Sequence, residues 1–166
     1  METNRTLKKL ILLSLSMIVF ICCTKNKIEK NETKKDITPN SSYINDFNNE
    51  KKKADLIKKI IKEGDTISYK KLKNIYFLSN YTTEFLKYSI VMANDYNYDL
   101  AFLDAYIILR IDPTYKANLK INKLANYYLL RAYELNPKIA NSLMKEKFGS
   151  SYPHIKASEY WKLVNE

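Results

Sequence analysis

The chain has 166 residues and a formal charge of +10, from 28 Lys and Arg against 18 Asp and Glu, with only 2 Gly, 2 Cys and one His. Two glycines are too few for glycine-rich phosphate loops, dinucleotide fingerprints or hairpin-rich β folds, which use glycine for positive φ or close backbone approach. The adjacent Cys22 and Cys23 exclude a disulfide framework and a cysteine zinc site, and a lone His154 excludes a two-histidine metal site. We therefore expect one small folded domain without a metal or cofactor.

Residues 1–22 have the pattern of an export signal. Three basic residues and one acidic residue precede twelve residues without a charge, from Leu10 to Ile21. This run is shorter than the roughly 20 apolar residues that a helix needs to cross a bilayer. A basic segment followed by a short apolar one is typical of a secretory signal, so we predict that residues 1–22 are a signal peptide.

The apolar run ends in Phe20-Ile21-Cys22-Cys23. This ending resembles the signal of bacterial lipoproteins, in which a cysteine closes the apolar run, is acylated and becomes the first residue of the mature chain. The family places a small residue before that cysteine, and Cys22 is smaller than Ile21. The resemblance therefore implies lipidation of Cys23, with Cys22 as the alternative, and a protein anchored to the outer or inner membrane of the bacterial envelope. No acidic run follows the cysteine, which favours an orientation facing the periplasm.

Residues 23–42 are predicted to be the lipidated cysteine and a flexible tether. The stretch Thr24–Ser42 contains only two large apolar residues, Ile28 and Ile37. Such a segment cannot bury enough surface to offset the entropy of ordering it. The folded domain is therefore expected over residues 43–166.

Residues 43–166 are predicted to be all-α, because apolar residues recur at helical spacing and no alternating run occurs. A first helix is predicted over Asp46–Glu63, closed by Gly64, and Asp65 caps the second. A third helix opens at Thr82 or Thr83. The predicted apolar stripe of the second helix consists of Ile67, Leu72, Ile75, Tyr76 and Leu78.

The second half of the domain contains a helix that is apolar on nearly all sides, Tyr98–Ile111, which we expect to be the most buried element. Asp112-Pro113 and Asn136-Pro137 each join a good N-cap residue to a proline at the first helical position, so both predict helix starts. An amphipathic helix lies between them. The segment 137–148 ends at Gly149, and a last helix is predicted to begin at Pro153.

Part of this domain resembles the tetratricopeptide repeat and its Sel1-like variant. Ala125, Leu129, Ala132 and Pro137 stand at the small, large, small and proline positions of the second helix of that repeat, and LANYYLLRAYELNPKIA is similar to the Sel1-like form. The stretch EFLKYSIVMANDYNYDLAFLDAYIIL is similar to small bacterial lipoproteins with a Sel1-like C-terminus. The resemblance covers residues 84–149 and implies stacked antiparallel α-hairpins, a fold usually used to bind protein partners.

The sequence contains no clear catalytic constellation. Glu84, Asp95 and Asp99 are the candidate carboxylates for an acid–base pair, which requires two carboxyl groups at a defined separation. The stretch from Asp95 to Asp99 is more typical of a turn between helices, in which one Asp caps the next helix. We therefore expect a non-enzymatic protein.

The chain contains 14 tyrosines, several of them in the repeat-like region. Tyrosine joins a large apolar area to a polar tip, which suits protein interfaces and also half-buried contacts between helices. Both interpretations stay open. The candidate partner-binding residues are Tyr96, Tyr98, Tyr106 and Tyr127.

Nine lysines and three acids lie within residues 51–73, so the positive charge of the domain belongs to its first elements. Three interpretations stay open: a solvated face, a contact with anionic lipid headgroups, and recognition of an acidic protein. No nucleic acid partner is expected, because only three of the cations are Arg, the residue that reads bases. The predicted membrane-proximal basic face consists of Lys51, Lys52, Lys58, Lys59 and Lys62.

These features predict a membrane-anchored, non-enzymatic protein-interaction module of the cell envelope. A more specific hypothesis is an immunity protein that protects its producer by capping a toxin. The alternative is an envelope hydrolase or glycan-acting enzyme that uses Glu84, Asp95 or Asp99.

Overall fold

The computed structural model describes residues 41–149 and 155–165. Every regular element among these residues is helical, which confirms the all-α prediction. A short 3-10 turn, Thr82–Phe85, precedes the fourth helix. The helices are α1 (Ser41–Asn48), α2 (Glu50–Glu63), α3 (Thr66–Leu78), α4 (Leu86–Asn94), α5 (Asp99–Ile111), α6 (Pro113–Lys116), α7 (Leu119–Leu135), α8 (Pro137–Phe148) and α9 (Ala157–Asn165).

The first predicted helix is in fact two. Asn49 interrupts Asp46–Glu63 and caps α2, because its side-chain oxygen accepts a hydrogen bond from the backbone N–H of Lys52 at 3.0 Å. An Asn cap satisfies a helix-end N–H that would otherwise lack a partner, so this local bond overrides the continuous apolar pattern. The prediction of a single helix over this range is wrong.

The turn between α2 and α3 is formed by the two predicted residues, Gly64 and Asp65. Gly64 adopts the left-handed conformation at φ +63°, and its N–H bonds to the carbonyl of Ile60. The Asp65 carboxylate then accepts hydrogen bonds from the N–H groups of Ile67 and Ser68, each at 3.1 Å. The close of α2 and the cap of α3 are therefore confirmed.

The buried stripe of α3 differs from the predicted one at both ends. Ile67 and Leu78 are exposed, whereas Tyr69 is completely buried. The stripe follows the spacing of three and four residues from Tyr69 through Leu72 to Tyr76, and the two exposed residues lie off that line. The buried residues of α3 are Ser68, Tyr69, Leu72, Ile75 and Tyr76.

Helix α5 is the most buried element, as predicted. It packs against α4 on one side and against α7 on the other, and it also contacts α8. A helix with neighbours on several sides needs apolar residues around most of its circumference. Its buried residues are Ala101, Phe102, Asp104, Ala105, Tyr106, Ile108 and Leu109.

The two Asp/Asn-Pro pairs begin helices, but the first begins only a short one. Asp112 caps the four-residue α6, and Asn118 then caps α7 by accepting from the N–H groups of Lys120 and Ile121. Helix α8 begins at Pro137 as predicted. The predicted start of the last helix at Pro153 lies outside the described residues, and α9 begins at Ala157.

Candidate functional site

A cavity of about 320 Å³ opens between the α4–α5 connection, α7 and α9. Its walls come from four separate parts of the chain, and it combines aromatic rings with amide and guanidinium groups. Pockets that bind ligands or partner side chains have this composition. The lining residues are Ala93, Asn94, Asn97, Phe102, Tyr127, Tyr128, Arg131 and Trp161.

Aromatic rings form one wall of this cavity. The Tyr127 and Trp161 rings are 4.7 Å apart between centroids, and Tyr127 contacts Tyr128 at 5.5 Å. Tyr128 in turn packs on Phe102 at 5.9 Å. Burial raises the pKa of the Tyr128 hydroxyl, and Asn94 donates to that hydroxyl at 3.4 Å. The innermost rings are therefore fixed by packing, and Trp161 remains 41 % exposed at the rim.

Arg131 supplies the charged group of the cavity. Its guanidinium donates to Asn97 Oδ1 at 2.9 Å and to Glu134 at 3.0 Å, and it lies 5.3 Å from the centre of the Phe102 ring. Asn97 has a left-handed backbone at φ +51°, which asparagine tolerates better than most residues. These contacts hold the planar guanidinium over the ring, so the fold itself defines the position of this charge.

A second cavity, of about 330 Å³, adjoins the first because Trp161 lines both. Its other walls are more apolar and come from the start of α7 and the end of α9. They are formed by Lys120, Ile121, Leu124 and Asn165.

Helix α9 is held on α7 by polar contacts that flank Trp161. Asn126 donates to the Tyr160 hydroxyl at 2.9 Å, and Glu134 accepts from the backbone N–H of Ala157 at 2.8 Å. The same Glu134 carboxylate pairs with Arg131. The start of α9 and the charged group of the cavity are therefore positioned together.

The four candidate tyrosines occupy different environments. Tyr127 lines the cavity, whereas Tyr106 is buried in α5, and burial raises its pKa. Tyr98 is half-buried and packs edge-on against the Tyr69 ring at 5.5 Å. Tyr96 is 37 % exposed and donates its O–H to the Ile61 carbonyl at 2.7 Å. The structure therefore brings only Tyr127 of this set to the cavity.

The predicted basic face lies on the solvent side of α2. All five of its lysines are exposed, and Lys52 pairs with Asp46 at 2.7 Å. Lys53, by contrast, is largely buried, because it pairs with Glu50 and lies 4.3 Å from the Phe47 ring centre. We call the residues Lys51, Lys52, Lys58, Lys59 and Lys62 the lysine face.

The three candidate carboxylates are not gathered into one site. Glu84 and Asp95 lie beyond opposite ends of α4, which at 1.5 Å per residue separates them by roughly 15 Å along the helix. That separation exceeds the span of a glycosidase carboxylate pair. Asp99 accepts a hydrogen bond from the Asn136 side chain at 2.7 Å and so fixes the start of α8 to α5. In the described part of the chain, no group of three or more His, Cys, Asp or Glu residues could hold a metal ion.

A buried charged network that the sequence did not predict lies between α3, α4 and α5. Asp104 is only 2 % exposed, accepts the Tyr69 O–H at 2.8 Å and pairs with the Lys73 ammonium at 2.5 Å. The Tyr69 hydroxyl also lies 3.1 Å from Ser89 Oγ. Burial and the nearby Asp104 raise the pKa of Tyr69 far above its ordinary value. Tyr69, Ser89 and Asp104 have almost no access to solvent, whereas Lys73 is partly exposed. The network therefore joins the three helices around a buried carboxylate that only Lys73 connects to the surface.

Both cysteines, the predicted signal, residues 23–40 of the predicted tether and His154 lie outside the described residues. Ser41 and Ser42, predicted as the end of the tether, instead begin helix α1. Among the helices that are described, none has the length and apolar character needed to cross a membrane.

No protein-family model matches the chain, and neither a curated protein nor a solved structure shows significant similarity to it.

Proposed function

We propose that this chain is a membrane-anchored, non-enzymatic protein-interaction module that binds its partner at the two cavities beside Trp161. The observation that carries the proposal is the grouping of Trp161, Tyr127 and Arg131 at one open surface. Trp, Tyr and Arg are the residues that contribute most of the binding energy in protein interfaces. Each cavity is about the size of a few side chains, so a partner can insert one side chain on each side of Trp161.

The order of helix contacts supports this kind of module. Consecutive helices pack in pairs, α2 with α3, α4 with α5 and α7 with α8, and α5 joins the last two pairs through α7. Stacked hairpins of the tetratricopeptide or Sel1-like type would give such contacts, and these folds bind partners along exposed helix surfaces. The anchor rests on the sequence, on the apolar run that ends at Cys22 and Cys23. In an immunity protein, the partner at the cavities would be a toxin.

A photo-reactive benzoylphenylalanine tests the binding surface. Placed at Trp161 in the full chain in its native envelope, it should form one discrete protein adduct. Placed at Ile111, which is 55 % exposed and lies outside both cavities, it should not. Tyr127→Ala should weaken binding of the captured partner by about 30-fold, because it removes an aromatic anchor. An adduct that forms equally from both positions, or survives Tyr127→Ala unchanged, would contradict the proposed surface.

Cysteine replacement tests the anchor separately. Cys23→Ala should move the protein from the membrane fraction to the soluble fraction, because a multiply acylated cysteine provides the stable attachment. Cys22→Ala is the matched control and should leave it in the membrane. Membrane retention in the double variant would disprove acylation as the means of attachment.

A further inference from the structure

The end of α2 exposes apolar side chains directly beside the lysine face. Ile61 is 48 % exposed, and Ile67, three residues beyond the Gly64 turn, is 63 % exposed. The Tyr96 ring packs over the same turn, since a Cβ on Gly64 would overlap it, and its hydroxyl is bound to the Ile61 carbonyl. We call Ile61, Ile67 and Tyr96 the apolar edge. All three residues lie at or next to the Gly64 turn, and exposed apolar groups placed together are typical of interaction surfaces.

Helical spacing places the lysines next to this edge. Lys58 is three residues before Ile61 and four before Lys62, so these side chains are neighbours on the surface of α2. Among the described residues, neither Lys58 nor Lys62 forms an ion pair. Asp55 is the one acid of α2 within a turn of Lys58, and Glu63 follows Lys62. The pKa of the Asp65 carboxyl is lowered by its hydrogen bond from the Ser68 hydroxyl, and Lys59 is close enough for its ammonium to contribute to that lowering. Helix α2 as a whole still carries six lysines against three acids, so positive charge is in excess beside the exposed Ile61.

We propose that this corner of the domain docks on an anionic lipid bilayer, with Ile61 and Ile67 entering the headgroup region and Lys58, Lys59 and Lys62 contacting lipid phosphates. Interfacial membrane binding uses this combination of apolar side chains, flanking lysines and a tyrosine at the boundary. The charge of the face is complementary to phosphatidylglycerol-type headgroups, and each lysine near such a surface strengthens the attraction.

Docking of this corner rests on the membrane attachment in the proposed function and extends it. Helix α1 packs against both α2 and α3, and it is the first element of the chain that the structure describes. The lysine face lies on α2, which directly follows α1 in the chain, whereas the cavities beside Trp161 are formed by later elements.

Tryptophan fluorescence in the full chain tests this orientation. Trp161→Phe removes the only native tryptophan, and Ile61→Trp then places a single probe at the apolar edge. Ile111→Trp in the same background is the matched control, since both isoleucines are about half exposed. Vesicles of phosphatidylcholine with about one third phosphatidylglycerol, some carrying bromine on the acyl chains, quench a tryptophan that enters the bilayer.

The probe at position 61 should be quenched in anionic vesicles, and the probe at position 111 should not. Lys58→Gln, Lys59→Gln and Lys62→Gln together should weaken the apparent affinity for the vesicles, measured by the quenching titration, by about 100-fold, roughly fivefold per lysine. Added salt should weaken it further.

Flotation of the same vesicles reports the anchor independently of the probe. Flotation without quenching at position 61 would overturn docking while leaving the anchor intact. Quenching at position 61 without stable flotation would support docking and refute the anchor. Equal quenching at both positions, or no quenching at any lipid concentration, would overturn the proposal and favour an acidic protein at this face.

Discussion

Replacing Lys73 with Met should lower the free energy of unfolding by about 3 kcal/mol at neutral pH. Lys73 is the cationic partner of Asp104, which is 2 % exposed. Removing the partly exposed Lys73 leaves the buried Asp104 charge in a low-dielectric site without compensation, which costs far more than losing a surface pair. Urea unfolding followed by circular dichroism measures the change.

The cost of Lys73→Met should depend on pH in a defined direction. Burial raises the pKa of the Asp104 carboxyl above its ordinary value, while Lys73 and the hydrogen bond from Tyr69 act in the opposite direction. Because the pKa of Asp104 is higher in the folded protein than in the unfolded one, the folded protein binds more protons at pH values between the two. The contribution of Asp104 to stability therefore falls as the pH rises from the unfolded-state pKa to the folded-state pKa. Without Lys73 the folded-state pKa of Asp104 rises further, so the pH range over which Asp104 lowers stability becomes wider. The cost should therefore be small below about pH 4 and reach its full size near neutrality.

Two controls separate the buried charge from a general effect of removing lysine. Lys70→Met and Lys71→Met remove exposed cations from the same helix and should change stability by less than about 0.5 kcal/mol. Adding Asp104→Asn to Lys73→Met should restore most of the loss, because the amide is neutral and its oxygen still accepts the Tyr69 O–H. A Lys73→Met cost that is equal at acidic and neutral pH, with no rescue by Asp104→Asn, would show that the ammonium acts through packing alone.

The parts of the fold that depend on short-range chemistry could be predicted from the sequence. Gly64 as the end of α2, Asp65 as the cap of α3 and the heavily buried α5 follow from residues close together in the chain. The break at Asn49 was missed because Asn48 and Asn49 are equally plausible caps within an apolar pattern that continues through them. Propensity alone does not decide which side-chain oxygen reaches a free N–H.

The cavity beside Trp161 could not be predicted in the same way. Its residues come from the end of α4, the start of α5, the middle of α7 and α9, so only tertiary packing brings them together. Tyr127 and Arg131 are four residues apart and share one face of α7, and this spacing was a signal in the sequence that could have indicated part of the cavity.

The buried network around Asp104 could not be predicted either. Asp104 was an isolated acid in an apolar helix, and its partners Tyr69 and Lys73 lie more than thirty residues away.

Replacing Gly64 with Ala should lower the free energy of unfolding by about 3 kcal/mol, although it adds only one methyl group. Gly64 has φ +63°, a conformation that costs a residue with a side chain about 1 kcal/mol. The new Cβ would also lie within 2.6 Å of Cε1 in the Tyr96 ring. That ring cannot move away without losing its hydrogen bond to the Ile61 carbonyl, which contributes about another 1 kcal/mol, together with its packing on the turn.

A double-mutant cycle with Tyr96 separates the two causes, because only the contact with the ring depends on that residue. In a Tyr96→Ala background, Gly64→Ala should cost about 1 kcal/mol, the backbone part alone, so the coupling between the two positions should be about 2 kcal/mol. Gly149→Ala is the control: it also has a positive φ, of +79°, but among the residues that the structure describes no atom beyond its chain neighbours lies within 4 Å of its added Cβ. Its cost should be the same with Tyr96 present or replaced. If Gly64→Ala also costs the same in both backgrounds, Tyr96 does not hold the α2–α3 turn, and the apolar edge that it forms with Ile61 and Ile67 is not a fixed surface.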